Sequence, residues 1–311
     1  MTIRLLIEEP QPNFFSGDPS YLTLRDRGEA ALQAGRPEEA YALFDASLRK
    51  ANALEDPILV DRAVCNRAAA RIVLGKVEAV VPELRTVLNH HADATNSRLA
   101  AYNLGRSYEQ KKDFKKGAFY ARTALNYSQQ LERSDWIASS LNLLGICLLG
   151  DSLFEEASEC FQEALDLLEA SQRDRYFTIL DNLGYCDLIL GRKRRGLERL
   201  YRSLRGLRRI SSYENRMVCR LHLTFALLDL GHYRLAERHA TAALSLAELA
   251  VHQEGKKNAL YLLGQAYRLG DQPEKAATFF SQLQQEFFPS FPEVSKFLMV
   301  VDVLPMINLR A

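Results

Sequence analysis

The side chains best placed for chemistry in this 311-residue chain are amides, phenols and guanidinium groups rather than nucleophiles. Asn103, Asn142 and Asn182 stand two or three residues ahead of a glycine, in Asn103-Leu-Gly, Asn142-Leu-Leu-Gly and Asn182-Leu-Gly. Asparagine is a poor residue inside a helix. Its side-chain amide donates and accepts at once, which suits a peptide backbone. Tyr102, Arg106 and Glu109 accompany the first of these, and Asp181 and Tyr185 the third; Tyr261, Gln265 and Arg268 surround a later glycine, Gly264. Arg106 carries the planar fork that takes a carboxylate bidentately. These residues spell recognition of an extended chain, with Asn103 and Asn182 as the clamps. A second reading stays open, in which the asparagines bond neighbouring helices and set their spacing.

No catalytic signature stands beside them. The chain has no P-loop, no dinucleotide glycine fingerprint, no His-Glu-x-x-His and no Gly-x-Ser-x-Gly. His90 and His91 are adjacent, so on a helix their rings diverge and suit an exposed loop better than a metal. Cys65, Cys147, Cys160, Cys186 and Cys219 are scattered, with no Cys-x-x-Cys, as expected of reduced, buried thiols. Neither an enzyme nor a cofactor is expected. Forty Lys and Arg nearly balance 39 Asp and Glu, so the molecule as a whole is no polycation built for nucleic acid. No apolar run approaches the roughly 20 residues of a membrane span. The apolar stretch after Met1 meets Glu8 and Glu9 too soon for a signal peptide, so a cytoplasmic protein is expected.

The elements that must position these groups are helices. Gly (16) and Pro (10) are scarce for this length, which disfavours an all-β chain. A small residue recurs at Gly28, Ala68, Gly105, Gly145, Gly184, Thr224 and Gly264, close to every 40 residues. Twelve positions on comes Ala40, Gly117, Ala157, Gly196, Ala236 or Ala276, with Val80 breaking the series; sixteen on comes Phe44, Leu84, Ala121, Phe161, Leu200, Ala240 or Phe280. The first marker lies on one helix face and the later two share a face of a second helix. Between them, Gly35-Arg-Pro-Glu-Glu and Gly270-Asp-Gln-Pro-Glu place glycine near a helix end and proline and acids at the next start. Gly150, Gly191 and Gly231 mark the same joint. Small residues are expected where the two helices cross closely.

At these residues the chain resembles the tetratricopeptide repeat family, whose Leu-Gly…Tyr…Ala…Phe…Ala pattern runs over residues 21–288. The family's early Trp is mostly replaced by Leu24, Leu141, Leu180 and Leu260; Arg67, Arg71, Arg220 and Thr224 fall at core-type positions. In the copy with Arg220 and Thr224 the helix is therefore rotated or the register is off by one. The period exceeds the common one of about 34. It is similar to that of the longer-helix variants: kinesin light chain, the maltose-regulon activator and the Rap/PlcR receptors. The resemblance implies an all-α, right-handed superhelical solenoid of about seven hairpins. First helices would line a concave groove that holds a peptide or small effector. Tyr102, Asn103, Arg106, Asn142, Asp181, Asn182, Tyr185, Tyr261, Gln265 and Arg268 would face it, Asn103 and Asn182 at the place of the backbone-clamping Asn of kinesin light chain. No stretch after residue 20 is left for a DNA-binding helix-turn-helix.

Residues 192–209 hold nine basic residues and one acid, with Arg195, Arg199 and Arg202 in a stripe. One reading pairs this second helix with the acidic second helix at 155–170; the others give it an acidic protein partner or, least favoured, nucleic acid. Residues 289–311 have helical spacing at Phe291, Val294, Phe297, Leu298, Val301 and Leu304 up to Pro305. They read as a C-terminal capping helix, with docking or homodimerisation as the alternative. Residues 1–20, with Pro10, Pro12 and Pro19, read as extended. The expected function is a non-enzymatic scaffold or adaptor that binds a peptide segment of another protein. The alternative is a ligand-responsive regulator, a sensor of signalling peptides.

Overall fold

The computed structural model describes residues 19–168, 173–210 and 213–310; the extended segment expected before residue 19 lies outside them. The described residues are all-α, without a strand. The chain divides between residues 169 and 170 into two compact units. The first holds α1 (Pro19–Gln33), α2 (Pro37–Ala53), α3 (Pro57–Val73), α4 (Val80–His90), α5 (Ala94–Gln110), α6 (Phe114–Gln130), α7 (Ser134–Gly150) and α8 (Phe154–Asp166). The second holds α9 (Arg173–Ile189), α10 (Lys193–Ile210), α11 (Tyr213–Asp229), α12 (Tyr233–Leu249), α13 (Gln253–Leu269), α14 (Pro273–Phe287) and α15 (Val294–Val300). Within each unit successive helices pack against one another, and α15 packs on α14. This is the helical-repeat solenoid class.

The spacing of small residues sets how closely each hairpin closes, by two devices. In α9/α10 the backbones meet directly: a Cβ on Gly196 would stand 2.7 Å from the Gly184 carbonyl oxygen. In α13/α14 the absent side chain is replaced by a ring: a Cβ on Gly264 would stand 2.2 Å from Phe280, which is wholly buried. The residue sixteen positions on thus fills the space its glycine leaves, as Phe161 does for Gly145 and Phe44 for Gly28. The joints turn through one left-handed residue, glycine at positions 35, 75, 191 and 231. In α7/α8 and α13/α14 that residue is Ser152 or Asp271 instead. Gly150 ends α7 rather than making the turn.

The departures from the apolar pattern have local explanations. Arg67 reaches Asp45 at 2.9 Å and Glu83 at 3.1 Å, and Arg71 reaches Glu83 at 2.9 Å, so these arginines tie α3 to α2 and α4. Thr224 is buried, its hydroxyl donating to the Arg220 carbonyl at 2.7 Å. Thr224 thus sits in the core without the expected rotation or register slip being needed to expose it, its polar atom satisfied inside its own helix.

Beyond α14 the expected helix is shorter than the apolar spacing suggests. It ends at Val300, and Val301 is extended (φ −100°, ψ 130°). Asp302 Oδ1 accepts from the Leu304 N–H at 3.1 Å and closes a short turn. Stiff valines at 300, 301 and 303 add little helical preference to oppose it. A 3₁₀ turn over Leu304–Met306 follows. Leu298 and Leu304 are buried, while Phe291, Phe297 and Val300 are exposed.

Candidate functional site

The site lies in the second unit, on the side chains of α9, α11 and α13, and residues 302–310 run across it. Asp302 meets the Arg268 guanidinium at 3.3 Å. Arg268 is held in turn by Gln265 Oε1, at 3.0 and 2.7 Å. Leu304 and Leu309 are both buried. At Leu309 both main-chain groups are taken. Its N–H donates to the Tyr185 hydroxyl at 3.0 Å, and its carbonyl accepts from Asn258 Nδ2 at 3.3 Å. The Arg310 guanidinium donates to Asn182 Oδ1 at 2.7 Å. Of the sequence-derived residues, Asn182, Tyr185 and Arg268 thus touch one irregular segment with a 3₁₀ turn at Leu304–Met306, and that segment belongs to the chain itself.

Beneath this contact lies a polar stack. The Tyr185 ring lies flat on His222, with centroids 4.2 Å apart and 8° between planes. His222 Nδ1 stands 2.9 Å from Asp181 Oδ2, both residues buried. Burial holds the imidazole below its ordinary pKa despite the nearby carboxylate, so the neutral ring donates from Nδ1 and Asp181 accepts. Burial also pushes the Tyr185 hydroxyl up to about 12, which keeps it a phenol. Asp181 therefore acts behind the surface: it orients His222, on which Tyr185 rests. At the α13 end the Tyr261 hydroxyl and the Gln265 amide nitrogen are buried without a hydrogen-bond partner in this structure.

The first unit places its candidates differently. Asn103 is fully buried and donates Nδ2 to the Cys65 carbonyl of α3 at 3.0 Å, which ties one hairpin to the previous one; its Oδ1 has no partner. Arg106 pairs with Glu109 one turn along α5, at 3.1 Å. Tyr102 lies under the Arg98 guanidinium, which also covers the Trp136 ring at 4.9 Å. Asn142 is buried in α7.

In the basic helix α10 the stripe closes on its own hairpin. Arg195 binds Asp187 of α9 through two nitrogens, at 2.9 and 2.5 Å, and Arg199 reaches it at 2.5 Å. Arg192 stands 3.5 Å away, and Asp187 is fully buried. Lys193 crosses to Asp229 of α11 at 2.8 Å. Arg202 is exposed, its guanidinium over the Tyr176 ring.

Two participants escaped the sequence reading, His222 and Asn258. His222 stands two residues before its marker Thr224, as Asn103 and Asn182 do before theirs. Asn258 lies one turn before Tyr261 on the same face of α13. Among the described residues no group of His, Cys, Asp and Glu gathers as a metal-ion site. No helix there is long and apolar enough to cross a membrane.

Comparison with known proteins agrees with this architecture. Residues 97–170 match the tetratricopeptide repeat family. No curated protein matches the chain in sequence. Among solved structures, a Rap protein complexed with Competence and Sporulation Factor is similar, with TM-score 0.71 and 15% identity over 92% of this chain and 79% of that one. NprR in complex with its cognate peptide NprX gives 0.67 and 11%, over 89% and 82%. A tetratricopeptide repeat protein from Parabacteroides merdae gives 0.57 and 17%, over 93% and 100%. At these identities the likeness is one of fold.

Proposed function

We propose that this chain, which carries tetratricopeptide repeats and shares the fold of Rap and NprR, is a non-enzymatic scaffold that binds a peptide segment of another protein. The binding face is that of α9, α11 and α13. The observation that carries this reading is the clamp on Leu309: the face already holds a non-helical segment by both main-chain groups of one residue. Main-chain clamping supplies affinity without demanding one sequence, and neighbouring side-chain contacts supply selectivity. Similarity to two proteins solved with bound factors or peptides supports the reading. In the first unit, taken by itself, Arg106 and Asn142 are proposed as a second recognition surface, which the buried Tyr102 and Asn103 support from behind.

Panning a displayed random-peptide library tests this. The full chain should enrich a peptide family that a Tyr185→Phe/Asn258→Ala variant does not. Enrichment of the same family by both, or of none by either, would remove the proposal. A ligand-responsive regulator is the second reading, favoured by the presence of an internal segment that a ligand would have to displace. Small-angle scattering separates the two: a scaffold keeps its radius of gyration when peptide binds, and a sensor compacts.

A further inference from the structure

The segment across the binding face carries its own information about what that face accepts. We infer that residues 302–310 are an internal pseudo-ligand, and that the external ligand shares their chemistry. That ligand is a peptide with an acid, a leucine two residues later that opens a 3₁₀ turn, and a Leu-Arg pair five and six residues beyond the first leucine. This rests on the peptide-binding reading above and specifies its ligand.

Each feature is matched by a group of the opposite kind. The acid of Asp302 meets Arg268, whose guanidinium is pre-positioned by Gln265. Leu304 and Leu309 are buried, whereas Met306 between them is exposed, so the leucines are anchors and the intervening residues a bridge. The polar groups of Leu309 are clamped from α9 and α13 together. The arginine ends on the Asn182 side-chain amide oxygen, a neutral partner. A peptide with the charges reversed would set its base against Arg268 and leave its acid with only a neutral amide. The face therefore fixes direction as well as sequence.

The same contacts make the segment a competitor. Only the short stretch after α15 separates it from the packed helices. At such tether lengths the effective concentration is of the order of millimolar. An external peptide must displace a ligand that is always present, so affinity in trans is set by how firmly residues 302–310 are held.

The test uses the full chain and a fluorescein-labelled synthetic peptide of residues 301–310. In a Leu304→Asp/Leu309→Asp variant two carboxylates replace the apolar anchors while α9, α11 and α13 are untouched. We expect fluorescence anisotropy to give binding to this variant at least tenfold tighter than to the wild-type chain. A peptide with Asp302 and Arg310 exchanged should bind neither. Equal affinity for wild type and variant, or no binding to the variant, would overturn the inference. If the variant loses its helical circular dichroism, Asp302→Asn/Arg310→Ala serves instead. It must also bind more tightly than wild type, and failure there counts against the proposal equally. Light scattering over a range of concentrations should find a monomer; a dimer abolished by Leu304→Asp/Leu309→Asp would mean that the segment docks on a second copy, and would overturn the intramolecular assignment. If library peptides bind this face and the 301–310 peptide does not, this inference fails and the peptide-binding function stands.

Discussion

The main-chain N–H of Leu309 donates to the hydroxyl of Tyr185, 124 positions earlier in the chain, at 3.0 Å. The contact joins the turn at Leu309–Arg310 to α9. Tyr185 can hold it because its ring is fixed flat on His222, which holds the accepting oxygen in place.

Tyr185→Phe removes the acceptor and leaves the ring stack. We expect the Leu309 amide to lose roughly five- to twelvefold of its hydrogen-exchange protection, a loss of about 1–1.5 kcal/mol. Amides in the middle of α9 should be unchanged. Unaltered protection at Leu309 would show that the segment is held without this bond.

Gly264→Ala should cost about 1–3 kcal/mol, because the new methyl enters the space of the Phe280 ring. Phe280→Leu opens that space, so the double variant should be less destabilised than the sum of the two singles. Urea titration followed by circular dichroism measures this coupling. Strict additivity would mean that the hairpin relieves the clash elsewhere.

At Asp187 the two sides of the ion cluster should not cost the same. Arg195→Ala/Arg199→Ala leaves a fully buried carboxylate with only Arg192 nearby, and should destabilise by about 3–5 kcal/mol. Asp187→Asn leaves arginines that reach solvent and rehydrate, and should cost about 1–3 kcal/mol. Thermal melts compare them directly. If the double arginine variant is the more stable, the cluster is not what fixes α10 on α9. A companion filter-binding assay near 100 mM salt should find no nucleic-acid affinity that depends on Arg195, Arg199 and Arg202.

Stability should fall on mild acidification. Burial holds His222 below its usual pKa and pushes His239 down to about 4, with the Arg220 charge adding at His239. Both folded-state values lie below the unfolded value of about 6.5, so the unfolded chain binds more protons between these limits. The contribution is complete above pH ~6.5 and is lost as pH falls below it. The melting temperature should therefore decline from pH 7.5 to pH 5. His239→Gln should flatten part of that slope and leave the part due to His222. A flat wild-type profile would contradict both.

The hairpins were legible because their determinants are local. Gly184 with Gly196, and Gly264 with Phe280, lie twelve and sixteen residues apart, so a repeated pattern of volumes encodes each crossing. That Tyr185, Asn182 and Arg268 meet one segment follows a similar logic, since the repeat fixes which face each helix position occupies. Asn103 shows where this legibility ends. It shares its place in the repeat with Asn182, yet its amide bonds the Cys65 carbonyl while the Asn182 carbonyl receives Arg310.

The sequence by itself determined the all-α repeat, the seven hairpins and the short list of polar side chains able to grip a backbone. Periodicity and side-chain volume act within a few turns of one hairpin, and both can be read along the chain. Only the tertiary structure decided that Asp187 collects Arg195 and Arg199, that Arg67 and Arg71 belong to an ion network, and that residues 302–310 leave the helix at Val300 to lie on α9 and α13. Those outcomes depend on which complementary groups meet after the hairpins stack, and no spacing in the sequence records a contact whose partners are 124 residues apart.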